Sequence, residues 1–261
     1  MQNFEVLAYS LIQGITEFIP VSSSAHLYVM EFFFEWKVEG LIYALAAHMG
    51  TLLAVLFFEK KTIYLILNKF FIKKKVDKKV LPLLICVFPV IFIGFLIVIF
   101  FKKYYIFGMT TIAVTSIFGG LLLDFSDKKT PHKKTNDSLS LKNAFLIGLF
   151  QTLSLLPGMS RSGTVLTASR FLGYSRSFSI ELALLTSIPI IILASCYGIY
   201  NILVSSEQIS FYFFYITAIT FIFAFFSIKF LVRWTKHFSF RIFVIYRVIF
   251  GISIILLINL T

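Results

Sequence analysis

Charged residues are scarce in this chain of 261 residues: they make up 14% of it, and 12 acidic residues face 24 lysines and arginines. Because 59% of the residues are hydrophobic, there is too little polar side chain to cover a soluble domain of this length. Short segments of alternating apolar and polar residues, which are typical of a membrane β-barrel, are also missing. The sequence therefore predicts an all-α integral membrane protein.

Cysteine is rare too, and only Cys86 and Cys196 are present. Both lie inside apolar runs, where we interpret them as core side chains, since a structural disulfide normally joins exposed loops. The first residues, MQNFEV, lack the positive segment of a secretory signal. We therefore expect residues 1–27 to belong to the mature protein.

Long apolar runs are what the chain has in abundance. Six of them hold about 20 residues with few charges, enough to cross roughly 30 Å of hydrocarbon as a helix. The predicted transmembrane helices are 41–58, 81–101, 104–123, 178–202, 210–228 and 242–260.

The positive charges are concentrated between these spans. Seventeen of the 24 lysines and arginines lie in three connections, eight in 59–80, five in 124–142 and four in 229–241. Cytoplasmic loops carry such an excess, which predicts that these three connections are cytoplasmic. The connections 31–40 and 203–209 hold one lysine and none, so we place them outside. This distribution favours a membrane topology and not nucleic-acid binding.

Two further segments must enter and leave the membrane by the same face if the spans are to alternate. Residues 4–36 enter from outside and residues 143–175 from inside, each as a re-entrant helix, loop and helix. Pro20 precedes the polar sequence VSSSAH and Pro157 precedes GMSRSG, and the next span begins 21 residues after each proline. The polar tips of both segments are expected to meet near the bilayer midplane, where irregular backbone lines cavities.

The same spacing predicts an inverted repeat within a single membrane domain. Each half holds one re-entrant pair and three spans, over residues 1–124 and 141–261, and a basic cytoplasmic loop joins the halves. Inverted repeats of this kind place their binding site at the interface between the repeats.

The residues at the two tips suit a diphosphate. The helices that begin after Ser23 and Ser162 point backbone N–H groups and positive dipole ends toward the loops, an arrangement that binds phosphate. Arg161 adds a planar guanidinium that matches phosphate oxygens. Its alternative role is an ion pair with Glu17, and both roles are compatible.

Proton transfer and metal binding are predicted at the first tip. Gln13 and Glu17 lie four residues apart on one helix face and could hold a divalent cation against the phosphates. Ser23 is the candidate nucleophile, and His26, three residues later, is a candidate general base or acid. Attack by a metal-bound water in place of Ser23 stays open.

Other polar residues have a structural interpretation. His48, in ALAAHMGT, is interpreted as a hydrogen-bond donor between helices, and Ser22 as a possible helix cap. Arg247, in FVIYRVIF, lies early in the last span, and we interpret it as snorkelling to the cytoplasmic interface.

The motifs EFIPVSSSAH, PGMSRSG and FVIYR resemble those of the bacterial undecaprenyl-diphosphate phosphatases, the bacitracin-resistance phosphatases. The resemblance covers nearly the whole chain. It implies hydrolysis of undecaprenyl diphosphate on the outer face of the plasma membrane, which recycles the lipid carrier for peptidoglycan and other wall polymers. It also implies a divalent cation, Mg²⁺ or Ca²⁺. Ala25 and Val165 depart from the usual glycine and threonine of the family.

Taken together, the residues and the resemblance predict the composition of the site. The predicted catalytic residues are Glu17, Ser23, His26 and Arg161. The predicted metal ligands are Gln13 and Glu17. The predicted diphosphate-binding residues are Ser22, Ser24, Ser160, Arg161, Ser162 and Gly163.

The main alternative is a transporter or flippase for the polyprenyl phosphate, since half-helix ends aimed at an anion are also transporter architecture. Hydrolysis additionally needs a nucleophile and a proton-transfer group, which Ser23, His26 and Glu17 supply. An intramembrane serine protease would leave the arginine of the second tip unexplained. The expected partners are the lipid substrate and membrane lipids, without nucleic acid, and a homodimer is possible.

Overall fold

The computed structural model describes residues 2–34, 36, 41–72, 74–101, 108–129, 138–205 and 210–260. The described residues form α-helices joined by short turns, as the composition predicts. The helices are α1 (Gln2–Thr16), α2 (Ser23–Phe34), α3 (Leu41–Phe58), α4 (Lys60–Phe71), α5 (Val80–Leu96), α6 (Met109–Lys129), α7 (Leu141–Gln151), α8 (Arg161–Phe171), α9 (Arg176–Ser205), α10 (Phe211–His237) and α11 (Arg241–Leu260). A π-helical turn, Ile97–Phe101, extends α5, and a 3₁₀ turn, Thr152–Leu155, extends α7.

Six helices are long and apolar enough to cross a membrane, as predicted: α3, α5, α6, α9, α10 and α11. The first span, Leu41–Phe58, has the predicted bounds. The third begins at Met109 and not at residue 104, and residues 102–107 lie outside the described part of the chain. The chain is therefore a multi-pass membrane protein with exposed apolar side chains around its helices.

The basic connection 59–80 contains a helix that the sequence analysis missed. Helix α4 follows α3 after Glu59 and buries none of its residues. Its lysines and apolar residues recur at helical spacing, so it is amphipathic. The charge count alone had suggested only a loop at this position.

Close helix contacts hold the bundle together. Helix α3 packs on α10 and α9, α6 packs on α11, α1 packs on α10, and α5 packs on α7. Glycine permits two of these approaches: a Cβ at Gly50 would lie 2.6 Å from the Thr217 carbonyl oxygen, and one at Gly148 would lie 2.5 Å from that of Cys86. Small residues commonly line helix interfaces within membranes for this reason. Cys86 is buried as predicted, whereas Cys196 is exposed.

The three predicted basic connections meet at one end of the bundle, called here the basic end. Asp127, near the end of α6, accepts hydrogen bonds from Arg170 and Arg176, both at 2.9 Å. It also accepts one from the backbone N–H of Phe240 at 3.4 Å. Helix α4 and the start of α5 join this end through Lys79, whose Nζ lies 2.9 Å from the Glu181 carboxylate.

Which side of a membrane this end faces stays a prediction. The acidic connections, expected on the opposite side, lie largely outside the described residues, including 37–40 and 206–209.

Candidate functional site

Two turns of irregular backbone lie between short helices. Residues 17–22 connect α1 to α2, and residues 156–160 connect the 3₁₀ turn to α8. Each turn together with the first residues of the following helix is called a tip here, residues 17–24 for the first tip and 156–163 for the second. Each turn ends on a serine with left-handed backbone, Ser22 with φ 74° and Ser160 with φ 64°. This conformation is uncommon for a residue other than glycine and is maintained only where the surroundings enforce it. Both tips are therefore held by specific contacts.

The tips contact each other, as predicted, although 144 positions separate their charged residues. Nη2 of Arg161 donates to Oε1 of Glu17 at 2.8 Å, which is the ion pair considered as an alternative role for this arginine. The hydroxyl of Ser162 donates to the carbonyl oxygen of Ile19 at 3.3 Å. Because the side chains of Arg161 and Glu17 are only 15% and 10% exposed, water screens this pair weakly.

Glu17 is the acceptor on which the site converges. Its second oxygen, Oε2, accepts a hydrogen bond from the hydroxyl of Ser23 at 2.7 Å and another from the amide of Gln13 at 2.8 Å. The carboxylate thus joins the first half-helix, the start of α2 and Arg161 of the second tip. A carboxylate that accepts the proton of a serine hydroxyl is placed to act as its general base.

His26 makes its hydrogen bonds elsewhere. Its Nδ1–H donates to the carbonyl oxygen of Ser22 at 2.7 Å, so in the neutral ring Nε2 accepts from the hydroxyl of Tyr246 at 2.6 Å. The imidazole also stacks on Phe250, with ring centroids 4.2 Å apart. These contacts attach the first tip to α11. No hydrogen bond joins His26 to Ser23 among the described residues, so its catalytic role stays a prediction.

His48 makes a hydrogen-bonding contact between helices, as predicted, but as an acceptor, and it also lies at the site. Its Nδ1 is 3.4 Å from the amide nitrogen of Gln13, which itself bonds to Glu17. Together with Ser154, it lines the same cavity as the predicted residues. A histidine within an apolar helix gives no indication from sequence of which neighbour it faces, and only the packing of α3 beside α1 reveals this one.

A cavity of about 200 Å³ lies between the tips. Three apolar residues of α9, Ile190, Ile191 and Ala194, form one wall. Six of the predicted site residues line it: Glu17, Ser22, Ser23, Ser24, Ser160 and Arg161. The cavity thus has hydroxyls and a cation on one side and an apolar wall on the other, which suits an amphiphile with an anionic head.

Ser162 and Gly163, two further predicted residues, do not line this cavity and lie next to Ser160. The hydroxyl of Ser160 caps α8 by accepting from the backbone N–H of Gly163 at 3.2 Å, and it lies 3.1 Å from the hydroxyl of Ser162. Ser22 and Ser24 are similarly close, with their hydroxyl oxygens 3.3 Å apart. The N–H of Gly163 is therefore already paired, while hydroxyls and a guanidinium face the space between the tips.

Arg247 is the residue that the sequence analysis interpreted wrongly. It does not snorkel: its exposed fraction is 0%. Its guanidinium donates to backbone carbonyls of the second tip, Gly158 at 2.8 Å and Met159 at 3.2 Å, and of the first tip, Pro20 at 3.4 Å. Nε donates to the carbonyl of Ser116 in α6 at 3.1 Å. One buried side chain thus connects both tips to α6 and α11.

The oxygen donors of the first tip fit a divalent cation that takes most of its ligands from elsewhere. No cluster of three or more His, Cys, Asp or Glu side chains that could hold a metal is found in the part of the chain that the structure describes. Glu17 offers one carboxylate, and Gln13 lies beside it with its amide nitrogen 2.8 Å from Oε2, so the amide must turn over to present its oxygen to a cation. Mg²⁺ typically takes one or two carboxylates and completes its shell with substrate phosphates and water.

Comparisons with known proteins agree with this geometry. Residues 6–253, which include both tips, match the family described as "Bacitracin resistance protein BacA". The chain is similar to a protein named "Undecaprenyl-diphosphatase" from Pelagibacter ubique, at 33% identity over 260 residues and 97% of both chains. Proteins of the same name from Campylobacter curvus and Marinobacter nauticus are each 34% identical, over 264 and 256 residues. The first of these matches covers 98% of both chains, and the second covers 95% of this chain and 96% of the relative.

Proposed function

The chain belongs to the family of the bacitracin resistance protein BacA, and we propose that it is an undecaprenyl diphosphatase, releasing phosphate from undecaprenyl diphosphate. The observation that carries this proposal is the connected set Ser23, Glu17 and Arg161 at the cavity between the tips. It adds a nucleophile and a base to a phosphate-binding cation, and hydrolysis requires these two groups whereas anion binding alone does not. Since the relatives carry a hydrolase name, we do not propose transport.

The terminal phosphoryl group would lie between the tips. Oγ of Ser23, or a water beside it, attacks the terminal phosphorus while the proton passes to Oε2 of Glu17. The bond from that phosphorus to the bridging oxygen breaks, and undecaprenyl phosphate leaves with the electron pair. If Ser23 is the nucleophile, a water then hydrolyses the phosphoserine and releases inorganic phosphate. Atoms and charge balance in either route.

Arg161 supplies the positive charge for this transfer. Phosphoryl transfer depends mainly on positioning and on stabilising charge at the phosphate oxygens. The guanidinium donates one N–H group to Glu17 and one to the carbonyl oxygen of Ser187 at 3.2 Å, and its remaining donors can meet phosphate oxygens. Ser160 on the second tip, and Ser22 and Ser24 on the first, line the cavity and offer hydroxyls to the same oxygens, whereas the hydroxyl of Ser162 donates to Ile19 and connects the tips.

His26 has a positioning role in this proposal. Its hydrogen bonds to Ser22 and Tyr246 hold the first tip, and thereby Ser23, in place. We include a divalent cation, Mg²⁺ or Ca²⁺, at Gln13 and Glu17. When bound, it would neutralise charge on the diphosphate and orient the phosphate oxygens.

The membrane arrangement is part of the same proposal. The two re-entrant segments and the inverted repeat are supported by the helix packing, because α1 packs on α10 as α7 packs on α5. The corresponding spans α3 and α9, and α6 and α11, pack on each other, as two related halves would. With the basic end in the cytoplasm, the site would open to the outer face of the bacterial plasma membrane and recycle the carrier for wall synthesis.

Phosphate release by the purified full chain from a long-chain prenyl diphosphate tests the function. We expect release that falls in Ser23→Ala and on adding a chelator, while Ser177→Ala, an exposed serine at the start of α9, stays at the wild-type rate. Binding of the diphosphate without any release by the folded wild-type protein would contradict hydrolysis. Wild-type turnover in Ser23→Ala would leave water as the nucleophile.

A further inference from the structure

A second, larger cavity lies at the basic end, away from the site. It has a volume of about 530 Å³ and opens between α4, the start of α5 and the start of α9. Most of its lining is apolar, with contributions from Leu65, Ile66, Pro82, Leu83, Leu182 and Leu185. Its volume is within the range of roughly 300–1,000 Å³ typical of small-molecule sites. None of its lining residues lines the cavity between the tips.

Charged side chains stand at the rim of this cavity. Nζ of Lys69 lies 2.6 Å from the carboxylate of Asp77, and Nζ of Lys79 lies 2.9 Å from that of Glu181. The hydrogen bonds from Lys69 and from the backbone of Lys79 hold the pKa of the Asp77 carboxyl below its usual value, so Asp77 is ionised and neutralises its partner. Lys78 lines the same cavity, is exposed, and forms no ion pair with any described residue. The rim therefore carries one net positive charge at Lys78.

The position of α4 indicates what faces this opening. Leu65 is 58% exposed and Phe70 is 54% exposed, although both are apolar, and α4 buries no residue against the bundle. An amphipathic helix with lysines and an exposed apolar face lies in the interface between lipid headgroups and acyl chains. This arrangement would place the mouth of the cavity at the level of the lipid phosphates, next to an end rich in lysine.

We propose that this cavity binds an anionic phospholipid, with one acyl chain among the leucines of α4, α5 and α9 and the phosphate at Lys78. Inorganic phosphate would leave the apolar lining unfilled. A zwitterionic lipid would bring no net charge to Lys78. The substrate places its diphosphate at the other cavity, and the two cavities share no lining residue.

The test uses the full chain in bilayer discs of phosphatidylcholine, with or without phosphatidylglycerol, followed by native mass spectrometry and thermal unfolding. Lys78→Glu reverses the unpaired charge at the surface, where folding is not at risk. Ile66→Trp fills the cavity from α4. Lys61→Glu is the matched charge reversal, because Lys61 is an exposed lysine of α4 that does not line the cavity.

We expect one retained phosphatidylglycerol per wild-type chain and a higher melting temperature in its presence. Lys78→Glu should weaken retention by at least about fivefold, given the usual contribution of one lysine near an anionic lipid. Ile66→Trp should also lose the lipid, and Lys61→Glu should keep it. The proposal is overturned if Lys78→Glu binds like wild type. It is equally overturned if Lys61→Glu loses as much, which would indicate general surface attraction, or if a prenyl phosphate displaces the phosphatidylglycerol.

Discussion

Arg247→Met tests whether one buried side chain holds the two tips in their relative positions. Arg247 is fully buried, and three of its bonds to backbone carbonyls, those to Gly158, Met159 and Ser116, are 3.2 Å or shorter. Hydrogen bonds from a charged donor contribute about 1.5–3 kcal/mol each, roughly 4–9 kcal/mol for the three. Burial of a guanidinium that has no carboxylate partner among the described residues costs several kcal/mol in the opposite direction.

These two contributions are of similar size, so we expect Arg247→Met to change the free energy of unfolding by less than about 3 kcal/mol. The effect on catalysis should be larger than the effect on stability. Without the shared donor, the tips are free to separate, and a displacement of about 1 Å at the reacting groups can lower the rate about 100-fold. We therefore expect kcat/KM to fall at least about 100-fold in a protein that still folds.

The assay is phosphate release from a prenyl diphosphate, with the melting temperature measured on the same preparation. Arg241→Met is the matched control on the same helix, since Arg241 is exposed, and it should behave like wild type. Arg170→Met controls for burial: Arg170 is 1% exposed but bonds to Asp127 at the basic end, so stability should fall while the folded protein keeps its kcat/KM. If Arg247→Met keeps kcat/KM within about threefold of wild type, Arg247 does not hold the tips.

Three further predictions follow from the site. Ser23→Ala should lower turnover at least about 100-fold. His26→Ala should lower turnover less and should also lower the melting temperature, because His26 acts by holding the first tip in place. Equal kinetic losses in the two variants, without a change in melting temperature, would restore His26 as the proton-transfer group. Arg161→Lys should strongly lower kcat/KM although the positive charge is retained. In a double-mutant cycle of Arg161→Lys with Glu17→Gln, the losses in kcat/KM should be strongly non-additive, and additive losses would mean that the two residues do not act on the same transition state. A cysteine at Lys74 should not react with an impermeant reagent added outside intact cells, whereas labelling there would reverse the proposed orientation.

Several features of this protein follow from composition and order alone. A span needs about 20 consecutive apolar residues, a requirement that depends only on the order of residues along the chain, so the six transmembrane helices could be located with their starts within five residues and their ends within nine. The charges between the spans and the positions of the two prolines predicted two re-entrant segments whose polar tips meet. The contact between Arg161 and Glu17 confirms this meeting across 144 positions.

The direction in which each polar side chain points could not be predicted in the same way. A membrane helix is apolar around most of its circumference, so the sequence gives little periodicity from which to choose a face. His48 was therefore not assigned to the site, and His26 was expected to act on Ser23 although its hydrogen bonds run to Ser22 and Tyr246.

Arg247 shows most clearly what only the tertiary structure decides. An arginine early in a span is expected to extend to the interface, since burying its charge alone is unfavourable. Here a place for the guanidinium exists because Gly119 and Gly163 lack side chains beside it and because carbonyls of two distant tips point toward it. The sequence by itself determined the spans and the chemical groups of the tips, because these depend on local composition. The folded bundle decided which carbonyls surround a buried charge, because such a site forms only when segments far apart in the chain pack together.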